Sequence, residues 1–375
     1  MLPKNKTYPH AMLREIFEQP SAISQTLAAY SDGTTLREDV FLPALRALVG
    51  KESLLISASG SSRHAGLFGE ILFEDLAGIA VDVEYASEYI YRSTQTLKNP
   101  CFMVISQSGE TADTSEALRE ATARGTTTIA ITNKPDSSMA KLASCSLPTI
   151  AGTERAIPAT KSFTTQLTVL SLLSLFTARI RGRMTRAVVE SHLHDLHLVP
   201  EAMAAFLPAW EAQISDLSRT LQSAESFLFL GRGVHYPIAR EGALKLKESA
   251  YIQAEGYPTG ELKHGPNALV NRHTPLIVLA ARDPHAPDSL LRYEKTVNLL
   301  RDMKKQGAEV VSIVNEGDTQ IAELSRHTIS IPRCEEYISP LYEVVPLQLL
   351  AYFMATGRHI DVDNPRNLVK AVVQE

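Results

Sequence analysis

The same order of segments occurs twice in this chain. A short apolar, β-branched run leads into a loop rich in glycine and serine, and then into a helical pattern. In the first half the runs are 54–57, followed by the loop Gly60-Ser61-Ser62, then 102–105, followed by the loop 106–111 and a helix over 112–124, then 128–133. In the second half they are 227–230, followed by Gly231-Arg232-Gly233 and a helix through Lys247, then 275–280, a helix over 290–305, and 309–315. Residues 129–133 and 311–315 occupy matching places. Strands that alternate with helices are joined by crossovers, so each half is predicted to form a parallel sheet covered on both faces. The fold class is therefore α/β, two tandem doubly wound, flavodoxin-like domains.

The chain has 375 residues, of which 44% are hydrophobic and 21% charged, enough to bury two cores. The expected organisation is a helical lead-in over 1–45, a first domain over 46–200 ending in helices, a second over 201–360, and a tail over 361–375. The segment 160–222 reads as mostly helical, broken at Pro200 and Pro208, and an apolar helix over 346–356 precedes the tail. The net charge of −5 and the lack of a basic block argue against nucleic acid as a partner. Cys101, Cys145 and Cys334 are widely spaced, so neither a disulfide framework nor a zinc site is expected, and no cofactor is called for. Met1-Leu2-Pro3 opens no apolar signal core. The longest greasy run, 167–178, is too short to span a bilayer and reads as a buried helix. The cytoplasm is the expected location, with no membrane partner.

Two stretches carry chemistry. Lys245, Lys247 and Glu248 precede Gly260-Glu261-Leu262-Lys263-His264-Gly265-Pro266, with His264 sixteen residues after Glu248. A glutamate can act as a carbon base, a histidine can move a proton near neutral pH, and a lysine can form an imine or neutralise an enolate. A solvated helix with charge pairs three residues apart, followed by a turn, is the plainer account. The second stretch is Ser106-Gln107-Ser108-Gly109-Glu110-Thr111, set between a buried strand and a helix start. Ligands collect at the carboxyl ends of parallel strands, and helix N-termini attract anions. Three hydroxyls and an amide there suit a phosphate ester, with Gly60-Ser61-Ser62-Arg63-His64 offering a second hydroxyl cluster. Helix capping by Ser108 or Thr111 is the alternative. No P-loop is present, and Gly231-Arg232-Gly233 lacks the third glycine of a dinucleotide fingerprint, so a nucleotide is disfavoured.

These blocks, together with 12–20, 151–154, 160–167, 241–248, 345–352 and 365–370, resemble the sugar isomerase (SIS) family, in the form of the isomerase half of glutamine:fructose-6-phosphate aminotransferase, or glucosamine-6-phosphate synthase. The resemblance covers nearly the whole chain. It implies that Ser61, Ser62, Ser106, Gln107, Ser108 and Thr111 hold a sugar phosphate and that the Ile157 backbone lines the sugar pocket. Glu248 would move the proton between C1 and C2, and Lys245 would stabilise charge beside it. Lys370 would form an imine with the ketose C2. His264 would assist ring opening, supplied by the neighbouring subunit of a homodimer with a shared active site. The chain departs from the family in carrying Ser59-Gly60-Ser61-Ser62 where Cys-Gly-Thr-Ser is usual, and Tyr257-Pro258-Thr259 where smaller residues are common.

A further departure shapes the expected activity. Residue 2 is leucine, and about fifty residues precede the first strand, which leaves no room for a glutaminase domain. The expectation is therefore an isomerising glucosamine-6-phosphate deaminase that releases fructose-6-phosphate and ammonia. The rivals are a deglycase or isomerase acting on another aminated sugar phosphate, an ammonia-dependent glucosamine-6-phosphate synthase, and a non-catalytic sugar-phosphate sensor.

Overall fold

The computed structural model describes residues 6–92 and 97–372, so the start of the lead-in and the last three residues of the tail lie outside it. The chain divides into two compact units that are not consecutive in sequence. The first comprises Ser21–Glu154, Ala159–Leu198 and the tail from Val369. The second comprises the chain up to Pro20, Arg155–Pro158 and Val199–Leu368.

The first unit holds the strands β1 (Ser53–Ala58), β2 (Ala80–Tyr85), β3 (Pro100–Ser106), β4 (Thr128–Thr132) and β5 (Cys145–Pro148). All pairings are parallel, in the order β2-β1-β3-β4-β5. The second unit holds β6 (Ser226–Gly231), β7 (Gln253–Pro258), β8 (Leu276–Leu279), β9 (Val310–Asn315) and β10 (His327–Ile331). Its order, β10-β9-β8-β6-β7, is the same arrangement repeated, and again every pairing is parallel. Each sheet reverses direction of winding between its first and third strands, which is where open α/β sheets place ligands.

The longer helices are α1 (Ala11–Tyr30), α2 (Glu38–Leu48), α3 (Gly60–Ala77), α4 (Ala112–Ala123), α5 (Lys161–Ile180), α6 (Arg186–Leu221), α7 (His235–Ala250), α8 (Pro287–Lys305) and α9 (Ser339–Thr356). Inner strands such as β1, β4 and β9 are buried along their whole length, because helices cover both faces. In the first unit Leu55, Phe102, Val104 and Ala130 of the sheet pack with Ala117, Leu118 and Ala121 of α4. In the second, Leu228, Leu276, Val278 and Val310 pack with Val297, Leu300 and Met303 of α8.

Two expectations are corrected. Pro200 and Pro208 do not break the helical segment; α6 runs through both for 36 residues. A proline forfeits one backbone hydrogen bond, and here the apolar stripe Val199, Met203, Leu207, Trp210 and Ile214 is buried, with the Trp210 indole N–H donating to the Ser330 carbonyl at 2.8 Å. Tertiary packing outweighs the local cost. The apolar run at 167–178 belongs to α5, which at 20 residues is long and apolar enough to cross a membrane by length and composition. Residues 161–178 of that helix are nonetheless all buried inside the protein.

Candidate active site

In the first unit the paired ends of β1 and β3, Ala58 opposite Ile105, deliver two loops side by side at the switch point of the sheet. The β3 loop carries Ser106, Gln107, Ser108 and Thr111, and the β1 loop carries Ser61 and Ser62 on the first turn of α3. The Ser106 hydroxyl lies 3.0 Å from that of Thr111 and accepts the Gly109 N–H at 3.1 Å. Ser108 accepts the Glu110 N–H at 3.1 Å, and Ser62 accepts from the Gln166 side-chain amide at 3.0 Å.

Gly109 adopts φ +66°, and a Cβ there would meet the Ser137 hydroxyl at 2.1 Å and Thr132 Oγ1 at 2.8 Å. Only glycine lets this loop fold so tightly against the next strand. Thr111 stands at the N-cap of α4 but its hydroxyl makes no capping bond. It turns to Ser106 instead, so plain capping by Thr111 does not account for it. The Ala112 N–H donates to the Val372 carbonyl at 2.9 Å, so the chain's tail closes on the same helix start.

Lys370 lies in the first unit too. Its ammonium bonds a carboxylate oxygen of Glu154 at 2.6 Å. Glu154 is wholly enclosed, and also accepts from the Thr160 N–H at 2.9 Å, the Ser162 N–H at 3.1 Å and the Ser162 hydroxyl at 2.7 Å. Burial pushes its pKa up, but the charge and hydrogen bond of Lys370 and the helix-start donors outweigh this and hold it below the ordinary carboxylate value.

The second unit positions Lys245 and Glu248 on α7, three residues apart and on one face. Lys245 is buried between two carboxylates, with Glu248 at 2.5 Å and Glu241 at 3.4 Å. This is no solvated charge pair. Glu248 remains partly exposed, at 23% of its side chain, and lines a cavity of about 370 Å³ with Lys247, Tyr251, Arg366, Asn367 and Leu368. A buried cation beside a reachable carboxylate can orient that carboxylate and neutralise a developing oxyanion. His264 stands exposed on a short 3₁₀ turn, Glu261–His264, followed by Gly265 at φ +146°.

The same unit contains a clasp that the sequence did not reveal. Asp363 accepts the Ala11 and Met12 N–H groups at 2.7 and 2.8 Å, capping the start of α1. Its own carbonyl accepts the Ile157 N–H at 3.1 Å. Glu15, fully buried on α1, accepts the Arg155 and Ala156 N–H groups at 2.6 and 3.2 Å. The segment carrying Ile157 is thus fixed from two sides. Farther along, the Arg366 guanidinium lies 4.2 Å over the Tyr251 ring, and the Arg366 backbone N–H donates to the Tyr251 hydroxyl at 2.6 Å.

The start of α7 is pinned as well. His235 is buried, with Nδ1 bonded to Glu343 of α9 at 2.9 Å and Nε2 standing 3.4 Å from Glu336, which in turn pairs with Arg292 of α8. Burial alone would lower the histidine pKa, yet Glu343 and Glu336 push it up to about 10. Glu336 is held down to about 2: burial raises it, and the bonds from Arg292 and His235 outweigh that.

A family model described as the SIS domain matches residues 47–175 and 220–357, one copy on each sheet. The chain belongs to the SIS domain family. It is 41% identical over 372 residues to a glutamine–fructose-6-phosphate aminotransferase (isomerizing) from Methanosarcina acetivorans, a match that covers 98% of this chain and 59% of the relative. This SIS chain thus spans about three-fifths of the length of the curated relatives it matches. Among solved structures, the C-terminal domain of glucosamine-fructose-6-phosphate aminotransferase from Francisella tularensis superposes with a TM-score of 0.90 at 33% identity, covering 97% of this chain and 100% of that one. A glucosamine-6-phosphate deaminase from Thermotoga maritima covers 97% of this chain and 100% of its own with a TM-score of 0.71, but at 24% identity it shares only the fold.

These likenesses overturn the deaminase expectation. It rested on the length of chain before β1, which carries no information about where nitrogen comes from. A base that moves a proton between neighbouring carbons serves either direction, so the expected roles of Lys245 and Glu248 could not decide it. The relatives at about 40% identity over nearly the full chain are named as aminotransferases.

Proposed function

We propose that this chain performs the isomerising half of an aminotransferase on fructose-6-phosphate, yielding glucosamine-6-phosphate. The observation that carries the reading is the buried Lys245 clamped beside a cavity-lining Glu248, in a chain similar over 98% of its length to such aminotransferases. In this reading Ser61, Ser62, Ser106, Gln107, Ser108 and Thr111 hold the phosphate. Lys370 forms an imine at the ketose C2, and Ile157 lines the sugar pocket through its backbone. Glu248 carries the proton between C1 and C2 while Lys245 offsets the charge that develops. His264, exposed on its turn, serves ring opening in a neighbouring subunit of a homodimer.

The test is to supply fructose-6-phosphate with glutamine or ammonium and follow aldose 6-phosphates by NMR. Glucosamine-6-phosphate or glucose-6-phosphate is expected from the phosphorylated ketose and not from fructose. Neither product forming, although calorimetry shows the sugar phosphate bound, would overturn the proposal.

The phosphate assignment makes its own prediction. Ser108→Ala with Thr111→Ala removes two hydroxyl donors to a charged acceptor, each worth roughly 1.5–3 kcal/mol. Calorimetry is expected to show fructose-6-phosphate bound at least about a hundredfold more weakly. Equal affinity for wild type and the double variant would place the phosphate elsewhere.

A further inference from the structure

Resting on the reading of Lys370 as the imine-forming lysine, we infer that Glu154 is its acid–base partner, taking a proton from the Lys370 ammonium and returning it to the hydroxyl that leaves the sugar. The geometry separates two tasks on one carboxylate. Oxygen Oε1 accepts the Thr160 and Ser162 N–H groups and so serves the start of α5. Oxygen Oε2 accepts from Lys370 Nζ at 2.6 Å and from the Ser162 hydroxyl at 2.7 Å. A carboxylate needed only to cap α5 would not require the second arrangement. The exposures are also unequal. Glu154 is fully enclosed, whereas 27% of the Lys370 side chain is open. A carbonyl carbon can therefore approach the amine from the solvent side while its proton acceptor stays behind it, out of water.

The step balances with these two groups alone. Lys370 gives one proton to Glu154 and becomes a neutral amine. Its lone pair attacks C2, the carbonyl π pair moves to oxygen, and a proton passes from nitrogen to that oxygen to give the carbinolamine. Glu154 then returns its proton to this hydroxyl, the C–O bond breaks, and water leaves. An iminium remains, one positive charge facing one carboxylate, as at the start. No metal or redox partner is involved.

This accounting has a consequence that a purely structural Glu154 would not produce. The reactive pair, neutral amine with protonated carboxyl, holds as many protons as the resting pair, ammonium with carboxylate. Imine formation should then be independent of pH between the two titrations of the pair. With no internal acceptor, the proton must leave to water first, and the rate must rise about tenfold per pH unit below the lysine range near 10.4.

The experiment is rapid mixing of the full chain with fructose-6-phosphate, trapping with borohydride at timed intervals, and mass spectrometry of the Lys370 peptide. Wild-type protein is expected to show a level rate between about pH 6 and about pH 9. Glu154→Gln is expected to be slower, with the tenfold-per-unit rise. Glu154→Asp keeps the carboxylate and is expected to stay level at a reduced rate; should the Gln variant not fold, the wild-type and Asp profiles decide. A tenfold-per-unit rise in wild type or Asp, or a level profile in folded Glu154→Gln, would overturn the relay and leave Lys370 in its role. No trapped adduct on Lys370 in wild type would overturn the reading beneath it, and the relay with it.

Discussion

Replacing Glu248 with Gln is expected to lower turnover about 10²–10⁴-fold, the usual cost of removing a general base. The change keeps the shape of the side chain and its place beside Lys245, 2.5 Å away in the native chain. It removes the proton acceptor and one negative charge. Affinity for fructose-6-phosphate should change far less, because the proposed phosphate contacts come from the loops after β1 and β3. The loss should fall on kcat, with KM nearly steady. Glu248→Asp should recover part of the rate, since it restores a carboxylate at a shorter reach. A Gln variant that turns over within a few-fold of wild type would remove Glu248 from the mechanism.

The second large effect is on stability. Glu343→Gln leaves His235 buried with one carboxylate fewer, at the point where α7 meets α9. Breaking a buried ion pair by removing one partner typically costs about 3–5 kcal/mol. Trp210 is the chain's single tryptophan, lies in the second unit and is buried there, so its fluorescence in urea reports that unit's unfolding. The pH dependence carries a sign. The His235 pKa is raised from the unfolded value of 6.5 to about 10, so its contribution is fully present below pH 6.5 and is lost as pH rises through about 10. Glu336 is lowered from 4.5 to about 2, so its contribution is present above pH 4.5 and is lost as pH falls through about 2. The wild-type urea midpoint is expected to fall between about pH 6.5 and about pH 10, and the Gln variant should show a smaller fall from a lower start. A variant as stable as wild type, with the same alkaline slope, would show that the pair is not coupled to folding.

Six of the ten strands among the described residues were legible in the sequence, and the four missed have one thing in common. β2, β5, β7 and β10 are the edges of the two sheets. An inner parallel strand is covered on both faces and reads as an apolar run, as Leu54, Leu55 and Ile56 do. An edge strand is half open and carries polar residues, as β2 does with Asp82 and Glu84 and β7 with Gln253 and Glu255. Pro200 and Pro208 misled for a related reason, since a local rule gave way to packing that only the folded chain reveals.

The site divides along the same line. Lys245 and Glu248 were visible because they lie three apart on one helix, and the loop 106–111 because it follows a buried strand. Glu15, Glu154 and Asp363 were not, although Glu15 and Glu154 lie within segments that marked the family. Glu15 binds backbone about 140 residues away, and Asp363 about 350 away. No local pattern announces a carboxylate whose partners are so distant. None of the three stands in an apolar run: Glu15 follows Arg14, Glu154 lies between Thr153 and Arg155, and Asp363 lies between Asp361 and Asn364. The direction of the reaction was illegible altogether, because the proposed proton-moving groups would be the same both ways.

The central claim is that Glu248 moves a proton between neighbouring carbons of a sugar phosphate, and one measurement tests it most directly. Fructose-6-phosphate is incubated with the protein in deuterium oxide, without any nitrogen donor, and the recovered hexose phosphate is read by NMR. The account predicts deuterium at C1 or C2 with wild-type protein and none, on the same timescale, with Glu248→Gln. Undeuterated sugar recovered from wild type that demonstrably binds it, or equal exchange by the Gln variant, would contradict the account.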